Sequence, residues 1–544
     1  MGYIDTLTNT TTALIALFLC LSFSFVRPFI QRRTGRREAP MLNEAIPFIS
    51  NTYQYLTNMA KFLKRATAAL ALNSIIRFRL GHKNIYLLSG ADNIQILCEP
   101  PHIMDPNMFQ VLLMDKHWGI AAHEIKKFES DLSGRKRIPL PGAENIPPDQ
   151  RHWYNHHEIY AKFLSSAKYT EILADKFFSI FSMRLDRYQL LEWTTVSIFD
   201  LLKTDMAESA IESLFGSKIL SLNPDLIKSY WEFDEVAGPL VFGPPRFIKP
   251  GPWRIRERLH SMVHRHVESA WQHFNWDGPE ADSDWDPHWG SRFSREIAKW
   301  LRGAGFEDRT ISGHTTATLF GLNGNTLPIV AWILMELVQD RQLIQIIRKE
   351  VETVFTIDPN TGKHEIDVDR LLSLPRLLSV YTEVLRLHIS FNVTREVRQE
   401  ISINGFSVAK GSFVQAPSQI AHYDESVWGT ADHPASKFWA ERHLSYVDEI
   451  GNAITEPRFL ITCRPTSFFP FGLGYALCPG RHFAKREILM AVAIVINKFD
   501  IEMIEWTLPD GTKSSRPAQD DQYYVGTAAM PPDREMKIRW RRMW

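Results

Sequence analysis

Apolar residues recur at helical spacing over most of this chain. The spacing predicts helices over residues 150–235, over 308–340 with more helix to 389, and from Pro479 to Phe499. The segment KYTEILADKFFSIFSMRL, within the first of these ranges, has the pattern of a helix that buries one face. Helices are therefore expected to form most of the structure.

Strand character is confined to short segments. Residues 80–100, with the apolar run IYLLSG, and residues 391–416, with the turn Ile403-Asn404-Gly405, are predicted to form short strands. The tail after residue 505 is predicted to be strand and loop. The chain is therefore predicted to be mainly α with a small β region.

Two connections interrupt the helical pattern. Residues 236–252, VAGPLVFGPPRFIKPGP, are rich in Pro and Gly and also apolar. They predict a loop that contacts a membrane or a partner, with a buried loop as the alternative. Residues 272–294 are polar, contain Trp and Asp, and are predicted to be a surface connection.

The N-terminus carries an apolar run, ALIALFLCLSFSFV, at residues 13–26. The uncharged stretch around it reaches the roughly 20 residues that a spanning helix needs only when its threonines are counted. Asp5 precedes it and arginines follow it, so the positive-inside rule places the body of the chain in the cytoplasm. We predict a signal anchor at residues 1–30 and a basic, Pro-containing hinge at 31–50. A cleaved signal peptide is the alternative.

Composition narrows the class of protein. Lys plus Arg equals Asp plus Glu, at 62 each, so nothing in the charge balance favours nucleic acid as a partner. Four cysteines in 544 residues are too few for a disulfide framework. No C-x-x-C pair is present, which argues against a structural zinc site.

The cysteine at position 478 lies in the segment FPFGLGYALCPGRHFAKRE, residues 469–487. A haem iron held by a thiolate needs an unpaired cysteine fixed at a loop end, with backbone donors towards the sulfur. Glycines here permit the loop, and Pro479 suits the first turn of a helix whose N-terminus favours a thiolate. A cysteine nucleophile paired with His482 and a buried structural cysteine are the alternatives.

This segment resembles the haem-binding signature of the cytochromes P-450 in Phe471, Gly474, Cys478 and Gly480. The resemblance implies a cytochrome P-450 fold after the N-terminal membrane-anchor helix, with residues 51–544 as the haem-binding catalytic domain. It implies haem b (iron protoporphyrin IX) as cofactor and Cys478 as its iron ligand. The family commonly has Arg or His where this chain has Ala476, so the haem propionates need other donors.

Glu383 and Arg386, in YTEVLRLH, form the single E-x-x-R of the chain and share one helix face. The alternative is an exposed ion pair of little energetic value. Arg442, in FWAERHL, resembles the third member of the family's Glu-Arg-Arg network. Arg395, in NVTREV, lies where the family often places a propionate-binding arginine, with Arg398 as a near competitor.

The long helix contains LFGLNGNTLPIVAWILMEL, residues 319–337. Pro328 cannot donate a hydrogen bond to the carbonyl of Gly324, so a kink and a small polar notch are expected beside Thr326. A merely structural kink is the alternative. The family usually has Asp or Glu before this threonine, whereas this chain has Asn325, which cannot relay protons as a carboxylate does. The pattern resembles the family's cholesterol-hydroxylase and prostacyclin-synthase branch.

The resemblance implies a monooxygenase that hydroxylates a bulky lipophilic molecule, such as a terpenoid, steroid or alkaloid of secondary metabolism. Thr326 would hydrogen-bond the bound oxygen with help from Asn325. No flavin or nicotinamide motif is apparent, so electrons would come from NADPH-cytochrome P-450 reductase. The expected location is the endoplasmic reticulum membrane. A reductase-independent isomerase or dehydratase is the second hypothesis, and a haem sensor or electron carrier is the third.

Overall fold

Helices make up most of the computed structural model, which describes residues 37–47, 49–81 and 83–544. The predicted anchor at 1–30 and the first part of the predicted hinge lie outside the described residues. The helices are α1 (Ser50–Thr57), α2 (Met59–Asn73), α3 (Ala91–Ile94), α4 (Asn107–Lys116), α5 (Ala122–Ser130), α6 (His152–Ser165), α7 (Ala167–Leu185), α8 (Ile198–Leu201), α9 (Ala207–Phe215), α10 (Lys218–Leu222), α11 (Leu226–Phe242), α12 (Gly251–His273), α13 (Arg292–Gly303), α14 (Asp308–Gln339), α15 (Arg341–Glu352), α16 (Val368–Leu371), α17 (Pro375–His388), α18 (Ser418–His422), α19 (Glu425–Trp428) and α20 (Arg481–Lys498).

The strands are short and form six separate small sheets among the described residues. They are β1 (Ile75–Leu80), β2 (Lys83–Leu88), β3 (Met104–Asp105), β4 (Trp193–Ser197), β5 (Trp285–Asp286), β6 (Gly290–Ser291), β7 (Phe355–Ile357), β8 (His364–Ile366), β9 (Ile389–Val397), β10 (Ile401–Ile403), β11 (Phe406–Val408), β12 (Phe413–Pro417), β13 (Leu444–Val447), β14 (Ala453–Phe459), β15 (Phe499–Thr507), β16 (Thr527–Ala529) and β17 (Glu535–Arg542). The prediction of a mainly α chain with a small β region is confirmed.

The largest sheet has the strand order β1-β2-β12-β9-β16, with β3 also paired to β9. β12 runs parallel to β2 and antiparallel to β9, so that Val414 lies between Tyr86 and Arg395. A second sheet, β15-β17-β4, is antiparallel. The predicted turn at Asn404 and Gly405 joins β10 to β11, with positive φ at both residues as a tight hairpin requires.

The long helix α14 runs through the main core. Its N-terminus is satisfied from α5, since the Glu124 carboxylate accepts the Glu307 N–H at 2.8 Å. Among the described residues it is the one helix long and apolar enough to cross a membrane, yet 72% of its apolar window is buried inside the fold. It is therefore a core helix, packed against α12, α17 and α20.

Three predicted connections differ from the structure. Residues 236–242 continue α11 through Pro239, so the predicted loop at 236–252 shrinks to the exposed residues 243–250. Residues 91–98 are helical turns and not strand. Residues 274–291 are more than a surface connection, because they hold the β5–β6 hairpin and the buried Trp289.

Candidate active site

The loop before α20 places Cys478 at one wall of a large cavity. The Cys478 N–H donates to the Phe471 carbonyl at 2.8 Å and so closes the loop. Gly474 has a φ of +56°, and a Cβ there would lie 3.0 Å from the Cys98 Cα. The loop therefore needs glycine at this position, and Cys478 is a free cysteine that faces the cavity.

The start of α20 directs backbone donors at the sulfur. Burial raises the pKa of the Cys478 thiol, while the backbone N–H groups of Gly480 and Arg481 and the Arg481 charge act in the opposite direction. These donors stabilise negative charge on sulfur, as a metal-bound thiolate requires.

The cavity has a volume of about 530 Å³. One wall is the cysteine loop, and the others come from α14, β9 and β16. Most of its lining is apolar, including Phe109, Leu113, Leu322 and Ile329. A mainly apolar cavity of this size suits a small lipophilic molecule or an organic cofactor.

Two basic residues that the sequence analysis passed over line this cavity. Arg135, in the connection between α5 and α6, donates to Asn107 Oδ1 through Nε and Nη2 at 2.9 and 2.7 Å. Burial lowers its pKa to about 10, so it stays charged at neutral pH. His157 of α6 lies on the same lining. Both are suitable donors for the carboxylates of a cofactor. Arg135 lies in the basic run of residues 135–137, whereas no local pattern marks His157.

Arg395 on β9 also lines the cavity, but its guanidinium is engaged by backbone carbonyls. Nε donates to the Leu97 carbonyl at 3.2 Å, and Nη2 donates to the Leu473 carbonyl at 2.7 Å. Arg395 thus ties β9 to the cysteine loop. Its competitor Arg398 pairs with Asp105 and is absent from the cavity lining.

Glu383, Arg386 and Arg442 come together below the cysteine loop. Arg386 holds both oxygens of Glu383, with Nε to Oε2 at 2.8 Å and Nη2 to Oε1 at 2.7 Å. Arg442 Nε donates to Oε1 at 2.9 Å. Burial would raise the pKa of Glu383, but hydrogen bonds from Arg386 and His443, with the charge of Arg386, lower it to about 2. The network is buried, unlike the exposed pair of the alternative interpretation.

His422 connects this network to the cysteine loop. Its carbonyl accepts from Arg386 Nη1 at 2.6 Å, and its ring Nε2 accepts the Phe469 N–H at 3.1 Å. Burial lowers the pKa of His422 to about 3, so the ring is neutral and Nε2 can accept. The sequence analysis did not assign this role, because no motif marks a histidine that acts through both its backbone and its ring.

Thr326 and Asn325 of α14 also line the cavity. The Thr326 hydroxyl donates to the Leu322 carbonyl, and Asn325 Oδ1 accepts the Ala529 N–H of β16 at 3.3 Å. α14 remains helical through Pro328. Because β16 engages Asn325 Oδ1, this oxygen is less available to hydrogen-bond a molecule beside Thr326.

A further acid belongs to the lining. Glu487 of α20 is fully buried, and neither of its carboxyl oxygens has a hydrogen-bond partner among the described residues. Burial raises its pKa well above the ordinary value. Glu487 ends the segment that contains Cys478, but no motif in the sequence gives it a role.

Comparisons with known proteins agree with this geometry. The family model of cytochrome P450 matches residues 121–516. The cytochrome P450 monooxygenase calL of Penicillium decumbens is 44% identical over 99% of this chain and 100% of its own length. The 25-hydroxycholesterol 7-alpha-hydroxylase of Rattus norvegicus is 25% identical over 66% of this chain and 82% of its own.

A solved structure shows the same fold. The retinoic acid-bound cyanobacterial CYP120A1 superposes with a TM-score of 0.63 at 17% identity, covering 92% of this chain and 99% of that one. The family match, the full-length relative and the superposition agree. The chain therefore belongs to the cytochrome P450 family, as a monooxygenase of that haem-iron family.

Proposed function

We propose that this chain hydroxylates a bulky lipophilic molecule, such as a terpenoid, steroid or alkaloid of secondary metabolism. The observation that carries the proposal is that Cys478 and Thr326 line one and the same mainly apolar cavity. The substrate class is supported by the cavity lining and by the relatives, one of which is named for a hydroxycholesterol.

In this proposal the cofactor is haem b with Cys478 as its iron ligand. The bound haem supplies the dioxygen cleavage that a thiolate ligand favours. The N–H groups of Gly480 and Arg481 stabilise the sulfur, and Phe471 and Gly474 shape its loop. Arg135 and His157 bind the haem carboxylates in place of an arginine at position 476, and Arg395 holds the loop against β9. Thr326 would form a hydrogen bond with dioxygen.

The proposed setting is the endoplasmic reticulum membrane. Residues 1–30 would anchor the chain, residues 31–50 would form the hinge, and residues 51–544 would form the cytoplasmic catalytic domain. The loop at 243–250 supports this setting, because Phe247 and Ile248 are exposed apolar side chains. NADPH-cytochrome P-450 reductase would be the electron donor.

The absorption spectrum of the reduced protein under carbon monoxide tests the haem ligand. Cys478→Ala should abolish the thiolate-type Soret band, because no other described cysteine lines the cavity. Cys463→Ala is the matched control, a free cysteine away from the cavity, and should keep the wild-type band. A wild-type band in Cys478→Ala would reject the proposed ligand.

A second function is favoured by one observation, the engagement of Asn325 by β16 where the family usually has a free acid. A haem-thiolate isomerase or dehydratase needs neither a reductase nor that acid. Turnover of a peroxide substrate without NADPH would support it over hydroxylation. A haem sensor or electron carrier is the third hypothesis, and product formation would reject it.

A further inference from the structure

Asn325 and Thr326 form the part of α14 that lines the cavity, which we call the notch. Neither residue is an acid. Asn325 carries an amide, and its Oδ1 accepts the Ala529 N–H at 3.3 Å. Monooxygenation inserts one atom of dioxygen into the substrate and releases the other as water, so protons must reach this notch. A carboxyl group from another element is the natural source to look for.

Gly324, directly before Asn325, opens α14 to such a group. A Cβ at this position would lie 3.0 Å from Asp234 Oδ1 and 3.2 Å from the Tyr230 hydroxyl. Both residues belong to α11, so that helix reaches α14 through the space that glycine leaves. Any larger residue at 324 would push the carboxyl away.

Pro328 has no N–H to offer the carbonyl of Gly324, which therefore lacks the usual helical donor four residues further on. Asn325 and Thr326, the next two residues of α14, line the cavity. A water bonded to this carbonyl would complete a route from Asp234 to them.

A tyrosine fixes the other oxygen of the acid. The Tyr524 hydroxyl, in the turn before β16, donates to Asp234 Oδ2 at 3.1 Å. The neighbouring Tyr523 hydroxyl donates to the Glu235 carbonyl at 3.0 Å. Asp234 is 8% exposed and Tyr523 is 56% exposed, so the pair of tyrosines lies between the buried acid and solvent.

We propose that Asp234 is the proton source for the notch on α14, reaching it through the gap at Gly324 and exchanging protons with solvent beside Tyr523. The electrons come from the reductant of the proposed function, on which this inference rests. Asp234 gives a proton towards the oxygen that leaves as water and regains one from solvent.

The charges around Asp234 suit this role. Burial raises its pKa to about 7, although the Tyr524 hydrogen bond and the Lys203 charge act to lower it and the Glu235 charge adds to the rise. Tyr230, the remaining polar group that faces it, is a neutral phenol whose pKa burial raises further. Asp234 can therefore both hold and release a proton near neutral pH, as a proton donor should.

The first test uses the full-length protein loaded with haem, with NADPH and a cytochrome P-450 reductase. Asp234→Asn keeps an acceptor for Tyr524 but has no proton to give. It should slow dioxygen consumption by about tenfold or more. The wild-type rate should fall as pH rises through about 7, and the variant should lose that dependence. Asp234→Glu should restore most of the rate and most of its pH dependence.

Glu235→Gln is the matched control, since it removes an exposed acid from the same helix. It should keep the fall of the rate with rising pH, with the midpoint moved to a somewhat lower pH, because the Glu235 charge that helps to raise the Asp234 pKa is removed. Gly324→Ala should slow dioxygen consumption in the same way, although Asp234 is still present. It serves as the test variant if Asp234→Asn does not fold. An Asp234→Asn protein with normal haem content, wild-type rate and wild-type pH profile would overturn the proposal.

Infrared spectroscopy gives a readout that needs no turnover. Burial raises the pKa of Glu535 to about 7 as well, so the spectra are compared by difference. The difference between the wild type and Asp234→Asn should contain a carboxylic acid band that titrates near neutral pH, and the difference between Glu235→Gln and Asp234→Asn should contain the same band. Absence of the band from both differences would overturn the assignment to Asp234. A wild type that consumes no oxygen would reject the proposed function instead, and the infrared band would still decide the state of Asp234.

Discussion

One cation on the cavity wall comes from outside the cysteine loop. Ala476 brings no charge to the cavity, whereas Arg135 lines it from a connection more than three hundred residues earlier in the chain. Arg135 is half-buried and keeps its charge. It is thus a fixed cation at the lining, and we expect it to hold a carboxylate of the haem.

Arg135→Ala should weaken haem retention by about tenfold, because a charge-assisted hydrogen bond to a carboxylate is lost. The measurement is the ratio of Soret to protein absorbance after gel filtration at several dilutions. Arg137→Ala is the control, since Arg137 is exposed on the same connection. Equal haem retention in the two variants would contradict a carboxylate-binding role for Arg135.

Site residues differ in how far the sequence reveals them. Cys478 and the Glu383–Arg386 pair lie in local patterns whose spacing alone indicates a shared loop or helix face, and the structure places them accordingly. Arg135 and Asp234 have no such pattern. Their roles depend on contacts with residues far away in the chain, which spacing cannot show.

A chain of hydrogen bonds joins α17 and α18 to the cysteine loop. Arg386 on α17, paired with Glu383, donates to the carbonyl of His422 at the end of α18, and the ring of His422 accepts the Phe469 N–H. The loop therefore depends on a buried ion pair that it does not itself contain.

Glu383→Gln should lower the free energy of unfolding by about 3–5 kcal/mol, because it leaves two arginines partly uncompensated in the interior. Denaturant titration measures this. Glu502→Gln breaks the exposed pair with Arg539 and should cost less than about 1 kcal/mol. Similar losses of unfolding free energy in the two variants would show that burial does not strengthen the Glu383–Arg386 pair.

Where a helix ends depends on contacts with distant residues, which the apolar spacing along the chain does not show. α14 and α20 were predicted closely because their apolar spacing continues to a clear end. α11 was cut short in the prediction, because Pro239 reads as a helix breaker. In the structure the carbonyl that Pro239 leaves without a donor, that of Glu235, accepts the Tyr523 hydroxyl instead.

Across the whole molecule, several histidines are buried and neutral. Burial lowers the pKa of His117, His266, His314 and His422 to about 3 each. Unfolding returns them to about 6.5, so the unfolded chain binds more protons between these values. Their contribution to stability is full above about pH 6.5 and is lost as the pH falls towards 3.

We therefore expect the unfolding temperature to drop steeply below about pH 6. His266→Leu should reduce the slope of unfolding free energy between about pH 4 and 6 by up to about 1.4 kcal/mol per pH unit. Calorimetry or denaturant titration at several pH values measures it. An unchanged slope in His266→Leu would contradict the account.

The turn that carries Tyr523 and Tyr524 continues directly into β16, whose residues form part of the cavity wall. The same turn therefore holds α11 through Asp234 and Glu235 and leads into a strand of the cavity wall. Exchanging this turn between relatives would change the cavity wall and the contacts of α11 together. In directed evolution, we would accordingly randomise the turn and the facing side of α11 as one cassette.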